Sequence, residues 1–279
     1  MDSARETPPV SSGYYLPKPS LSEFIQLFWY WKGHDAPYSQ ERILPAGMAD
    51  LVIRIGSGRT SKSGISGPKS KSILIERRAQ DELLGVHFKI GGVFPFLGFP
   101  SDELHDVDIT LADLWGERKA GQLLDLLHDA RTVDMKFCVL ESWFTRMARH
   151  PLRHHRAVSF ALEEVQRAPG LLSSREVAEQ VGLSQRRFIQ IFRSEVGMTP
   201  KLLCRIRRFQ GVIQAIQRRG AERRHATEMR DGIDWAAIAL SCGYFDQPHF
   251  NHEFREFSGL TPGEYLNLRT EHARHVRVR

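Results

Sequence analysis

The chain has 279 residues, 41% of them hydrophobic and 26% charged, and a formal net charge of +6. That length suits two domains, and the apolar fraction is enough for packed cores. Three cysteines (Cys138, Cys204, Cys242) give an odd count without paired spacing, no apolar run is long enough to span a membrane, and Met1 to Pro9 lacks a signal peptide's apolar stretch; the expectation is a cytoplasmic protein with neither a disulfide framework nor a membrane partner.

In chain order, Tyr14-Tyr-Leu-Pro-Lys-Pro leads into the apolar-aromatic run Phe24 to Trp31. Ile43 to Ile55 reads as a strand entered through a Pro/Gly turn. Gly56 to Ser72, rich in Gly, Ser and Lys, reads as a mobile loop between strands. Ser72 to Ile75 and Leu83 to Ile90 read as further strands. Gly91 to Pro100 reads as a turn followed by an apolar segment. These features predict a small antiparallel β structure, an open barrel, at the head of an α+β chain. Helices follow: Leu123, Leu124, Leu126 and Leu127 share one, and Phe137, Leu140, Phe144 and Met147 recur at helical steps in the next. This stripe either packs on its own sheet or pairs with its twin in a homodimer.

Within that half, His87 stands between Val86 and Phe88, facing an effector or a metal, or simply satisfied in place. Metal-binding barrels gather several His or Glu ligands, and this stretch supplies one, so no metal or cofactor is expected. Phe28, Trp29, Tyr30 and Trp31 line an effector pocket or, more simply, a core. His150, His154 and His155 lie among Arg149, Arg153 and Arg156, where cationic neighbours disfavour a metal; the stretch reads as a solvated basic linker at the domain boundary.

Near the C-terminus one motif is written twice. The first copy runs Ala178-Glu-Gln-Val-Gly-Leu-Ser-Gln-Arg-Arg-Phe-Ile-Gln-Ile-Phe192, then Gly197-Met-Thr-Pro200. The second runs Ala239-Leu-Ser-Cys-Gly-Tyr-Phe-Asp-Gln-Pro-His-Phe-Asn-His-Glu-Phe254, then Gly259-Leu-Thr-Pro262. Each is a short helix, a glycine turn, a second helix, a glycine stop and a Thr-Pro start, the grammar of a helix-turn-helix. A small residue (Ala178, Ala239) lets the first helix lie close to the second, and Ser184 and Asp246 suit N-caps. Phe188, Ile191, Phe192 and Val196 share one face in copy one, as do Phe250, Phe254 and Phe257 in copy two. The opposite faces carry Gln185, Arg186, Arg187, Gln190 and Arg193, and Gln247, His249, Asn251, His252 and Arg255. Arg, Gln and Asn can bond two positions on a base edge or hold a phosphate.

Between the copies, Pro200 suits a first helical position. Leu202, Ile206, Phe209, Ile213 and Ile216 form one buried stripe of a connecting helix. Arg205, Arg207, Arg208, Arg218 and Arg219 lie among them, divided between phosphate contacts and solvent. Gly220 to Asp234 reads as a long, charged connection. Charge agrees with this division: Met1 to His150 holds 18 Lys/Arg against 19 Asp/Glu, whereas Pro151 to Arg279 holds 21 against 14, a net of +7. All the excess positive charge lies with the repeated motif, as salt-dependent phosphate binding requires.

The segment from about Val158 to Leu268 resembles the DNA-binding domain of the AraC family of bacterial transcription regulators. The second copy carries most of that family's signature: the Ala, the Gly-aromatic pair, Asp-Gln, His-Phe, Phe-Arg and the closing Gly-x-Thr-Pro-x-x-Tyr265. The resemblance implies two helix-turn-helix units held by a connecting helix, their recognition helices in adjacent major-groove segments about 34 Å apart. More weakly, Leu44-Pro-Ala-Gly-Met-Ala-Asp-Leu and Gly85-Val-His-Phe-Lys-Ile-Gly-Gly resemble the sensor domains of one subgroup. The expected organisation is therefore an effector-sensing or dimerisation domain at 1–150 and a DNA-binding domain at 151–279, with units at about 171–199 and 234–262. Arg186, Gln190, Gln247, His249, Asn251 and His252 are assigned to base edges; Gln185 shares their face. Arg187, Arg193 and Arg255 are assigned to phosphate or supporting contacts. The expected partners are double-stranded promoter DNA, an unidentified small-molecule effector, RNA polymerase if the protein activates, and a second copy of the chain. The alternatives are a DNA-repair or modification enzyme and a nonspecific architectural binder. Against an enzyme, Cys138 has no activating base or metal-ligand partners in sequence, and no phosphate loop, nucleophile elbow or carboxylate pair appears.

Overall fold

A computed structural model describes residues 11–33, 40–55, 63–76, 81–148, 152–168, 172–225, 233–270, 272 and 274–278. The first half holds β1 (Ser11–Tyr15), β2 (Ile25–Lys32), β3 (Gln40–Ile43), β4 (Asp50–Ile55), β5 (Gly64–Ser66), β6 (Ile73–Glu76), β7 (Glu82–Phe88), β8 (Asp108–Thr110), α1 (Leu111–Trp115), α2 (Glu117–Asp129) and α3 (Val133–Met147). The second half holds α4 (Arg156–Arg167), α5 (Ser174–Gln180), α6 (Gln185–Val196), α7 (Pro200–His225), α8 (Trp235–Ser241), α9 (Gln247–Ser258), α10 (Pro262–Leu268) and β9 (His275–Arg277). A β-rich region is thus followed by a helical one, the α+β arrangement expected.

Six strands form an antiparallel sheet in the order β1-β2-β7-β4-β5-β8. Side chains alternate across a strand, and β2 uses both faces. Phe28 and Tyr30 point into a core with Leu51, Ile53, Leu84, Val86 and Phe88, which Leu123, Leu127, Phe137, Leu140 and Phe144 of α2 and α3 cover. Trp29 and Trp31 lie on the other face, so only half of the aromatic run is core. The α2–α3 stripe therefore packs on its own sheet; of its leucines, Leu126 is the one left exposed.

Several local expectations change. Gly64–Ser66, inside the segment read as a loop, is a strand between β4 and β8. Backbone pairing carries it: at Gly64 the Ile109 carbonyl comes so close that any side chain would collide. Residues 56–62 of that segment lie outside the described ones. The connecting helix α7 runs on to His225, through the start of the segment read as a charged connection, and residues 226–232 lie outside the described ones.

The stretch read as a solvated basic linker is pinned at two of its histidines. The His154 side chain is buried, with Nδ1 2.8 Å from Glu195 Oε2 and its ring against Phe24. His155 caps α4, its Nδ1 accepting from the Ala157 N–H at 3.1 Å. A buried carboxylate 41 residues away supplies the partner of His154, which local spacing does not show. Arg149 and His150 lie outside the described residues.

The helical half packs around Phe188, Phe192, Ile206, Phe209, Ile213, Phe250, Phe254, Phe257 and Tyr265. Each such side chain stabilises the fold by about 1.5–3 kcal/mol when fully buried. Leu44 and Val276 join the same core. A second sheet, β6-β3-β9, explains why: β3 from the first half sits between β6 and the C-terminal strand β9. Asp50 of β4 also reaches Arg274, at 3.1 Å, and His87 Nδ1, at 2.5 Å. Burial alone would raise the Asp50 pKa, but the Arg274 guanidinium and the His87 ring hold it down to about 2.

Candidate nucleic-acid interface

The two copies of the motif fold alike, and local chemistry explains why. Ser184 and Asp246 accept from the backbone N–H groups of Arg187 and His249, at 3.3 and 2.7 Å, which starts α6 and α9. Both helices are 12 residues long. Both end at a left-handed glycine, Gly197 with φ 88° and Gly259 with φ 71°. Thr199 and Thr261 then cap α7 and α10 through bonds from Leu202 and Glu264. Ala178 and Ala239 are buried where each first helix meets its second.

With the aromatic faces turned inward, the polar faces have one direction left. All ten residues assigned from sequence, Gln185, Arg186, Arg187, Gln190, Arg193, Gln247, His249, Asn251, His252 and Arg255, are exposed. Four of them, Arg187, Gln190, His249 and Arg193, carry contacts that shape what they offer. Arg187 donates to Gln190 Oε1 at 2.9 Å. The His249 ring meets Tyr244 edge-on at 5.3 Å. Arg193 donates to Asp102, in the 3-10 turn Ser101–Leu104 of the first half, at 3.1 Å.

Two of the connecting-helix arginines bind α9 instead of facing outward. Arg205 donates to Glu253 at 2.6 Å and to Glu256 at 2.5 Å. Arg208 reaches Glu253 at 3.3 Å and lies over the Tyr244 ring at 4.8 Å. Burial pulls the Arg205 pKa down, but the two carboxylates raise it overall, so its charge is secure. Burial and the nearby Glu253 keep the Tyr244 phenol protonated far above its ordinary range. Arg207 is lowered by burial. The sequence reading missed Glu253, although its place three residues after buried Phe250 marks it as inward-facing. Phe245, 87% exposed beside the N-cap of α9, was not among the residues assigned from sequence.

Elsewhere, no group of three or more His, Cys, Asp or Glu side chains that could hold a metal ion gathers among the described residues. Cys138 is exposed on α3, and Cys204 is buried. No described helix is long and apolar enough to cross a membrane.

Two family models match parts of the chain. Residues 177–268 match the family described as "Helix-turn-helix domain", and residues 14–110 match "Domain of unknown function (DUF6597)". No curated protein matches the chain. Among solved structures, a transcriptional regulator from Chromobacterium violaceum, with AraC-type DNA-binding domain-containing proteins in its description, is 24% identical. The match covers 39% of this chain and 87% of that one, with a TM-score of 0.31. The C-terminal domain of AraT, a response regulator from Geobacillus stearothermophilus, is 20% identical over 41% of this chain and 87% of that one, with a TM-score of 0.33. ToxT from Vibrio cholerae is 10% identical over 92% of this chain and 98% of that one, with a TM-score of 0.41.

Proposed function

We propose that this chain, whose residues 177–268 form a helix-turn-helix domain of the AraC type, regulates transcription by reading two adjacent major-groove segments with α6 and α9. The observation that supports the reading is the matched pair of helices. Each is 12 residues long, capped and stopped in the same way, with its aromatic face inward and its Arg, Gln, His or Asn side chains outward. Arg186 and Gln190 on α6, and Gln247, His249, Asn251 and His252 on α9, are the proposed base readers; Gln185 accompanies them. Arg187, Arg193 and Arg255 are proposed to hold phosphates. Residues 151–279 are the reading half on this view, and residues 1–150 the half through which a small-molecule effector or a second copy of the chain acts.

Selection of the full chain against a random double-stranded DNA pool tests this. Enrichment of a motif with two blocks about one helical turn apart is expected. Equal retention of unrelated sequences, with affinity set by salt alone, would leave a nonspecific binder instead.

A further inference from the structure

Both recognition helices end against the same short loop of the first half. Pro68 packs on the stop of α6: a Cβ at Gly197 would sit 3.0 Å from Pro68 Cγ and 3.1 Å from the Ser101 carbonyl. Four residues on, Ser72 holds the end of α9. Its backbone N–H donates to the Phe257 carbonyl at 2.8 Å, and its hydroxyl donates to the Ser258 carbonyl at 2.9 Å. Arg42 of β3 adds a bond to the same Ser258 carbonyl at 3.1 Å and another to Ser72 Oγ at 3.0 Å. The loop is itself fixed. Ser70 bonds Asp106 through its N–H and its hydroxyl, and Lys69 pairs with Asp108 at 2.6 Å.

We infer that the loop from Gly67 to Ser72 is a strap that sets the relative position of the two recognition helices, making Pro68, Ser72 and Arg42 positioning residues for DNA spacing. Four residues reach at most about 14 Å, so the strap bounds how far apart the two helix stops, as distinct from the helix centres, can lie. The helix stops are the right place to hold. Carbonyls without helical partners collect there, and Ser72 and Arg42 satisfy two of them on α9. One base pair shifts a DNA block by about 3.4 Å along the axis and by about 35° around it. Two helices held at a fixed offset therefore tolerate one spacing, whereas helices joined only through α7 tolerate neighbours of it. The inference rests on the proposed reading of DNA by α6 and α9.

The test uses the full-length chain and the motif it selects from the random pool. Duplexes are made with the two blocks at the selected spacing and with one or two base pairs added or removed. Binding is measured by fluorescence anisotropy. The parent chain should prefer the selected spacing over its neighbours by about ten-fold or more, and the Arg42→Met/Ser72→Ala pair should reduce that ratio to about three-fold or less. Base preference within each block should stay as in the parent. Pro68→Gly, which acts at the other stop, should flatten the profile in the same way. A merely structural role would weaken binding at every spacing equally, and that result, or an unchanged profile in both variants with the parent fold by circular dichroism, overturns the inference while leaving DNA reading intact. If the parent selects no two-block motif, the reading and the inference fall together.

Discussion

Glu253, only 3% exposed at its side chain, accepts from Arg205 at 2.6 Å and so ties α9 to the connecting helix α7. Arg208 approaches the same carboxylate from the next turn, at 3.3 Å. Glu253→Gln takes a buried carboxylate from two arginines that keep some solvent or a second partner, so it should cost about 1–3 kcal/mol of stability. Urea unfolding measures it. A loss under about half a kcal/mol, the scale of an exposed pair, would mean that solvent already screens the cluster.

Base readers and phosphate holders separate in their signatures. Arg186→Ala and Gln190→Ala should each relax sequence preference by about 1–3 kcal/mol at the position read. Comparing affinities for the selected motif and for single-base changes gives the number. An unchanged profile in both variants removes them from the reading set.

Arg193 is engaged with Asp102, 3.1 Å away, so a phosphate must compete with that carboxylate. Asp102→Asn should therefore raise affinity for any duplex and steepen the salt dependence by about one phosphate contact. Titrations across a salt series decide it; parallel lines for parent and variant would show that Arg193 takes no part.

Positive-φ glycines differ in what surrounds them. Gly182, at φ 71°, has nothing within 4 Å of a Cβ position, whereas at Gly197 the Pro68 ring and the Ser101 carbonyl stand close. Gly182→Ala should cost only the left-handed backbone strain, about 1–2 kcal/mol. Gly197→Ala carries the same strain and must also push the strap aside, so its melting temperature should fall further. Equal shifts would mean the loop yields freely.

The two histidines and the strap explain what was legible in the sequence. Caps, glycine stops and aromatic faces of the repeat are local signals, because each residue acts within one helical turn. Ser184, Asp246, Gly197 and Gly259 could be placed before any fold was known. Interactions between distant segments were not legible. The short polar strand His275–Arg277 has no pattern that announces β3 as its partner, and nothing local tells His154 that Glu195 will meet it. The sequence leaves Arg205 and Arg208 among arginines divided between phosphate and solvent, because an arginine aimed at a neighbouring helix reads the same as either.

Acid should expose one of those distant contacts. The Asp50 pKa is lowered in the folded chain to about 2 from 3.8. Its contribution is fully present above the unfolded value and is lost as pH falls through the folded one, a window from about pH 4 to about pH 2 worth roughly 2 kcal/mol. Urea unfolding at pH 5 and pH 3 should show a larger drop for the parent than for Asp50→Asn. Identical drops would place the acid sensitivity elsewhere.

The sheet in which β3 lies between β6 and β9 also constrains how the molecule is made. Its central strand pairs on one side with a neighbour reached early in synthesis and on the other with Val276 and its flanking residues, which emerge from the ribosome much later. Until then one edge of β3 is an open ladder, free to recruit a strand from another chain. Contacts so far apart in sequence form slowly. Completing this sheet also brings Leu44 and Val276 into the helical core.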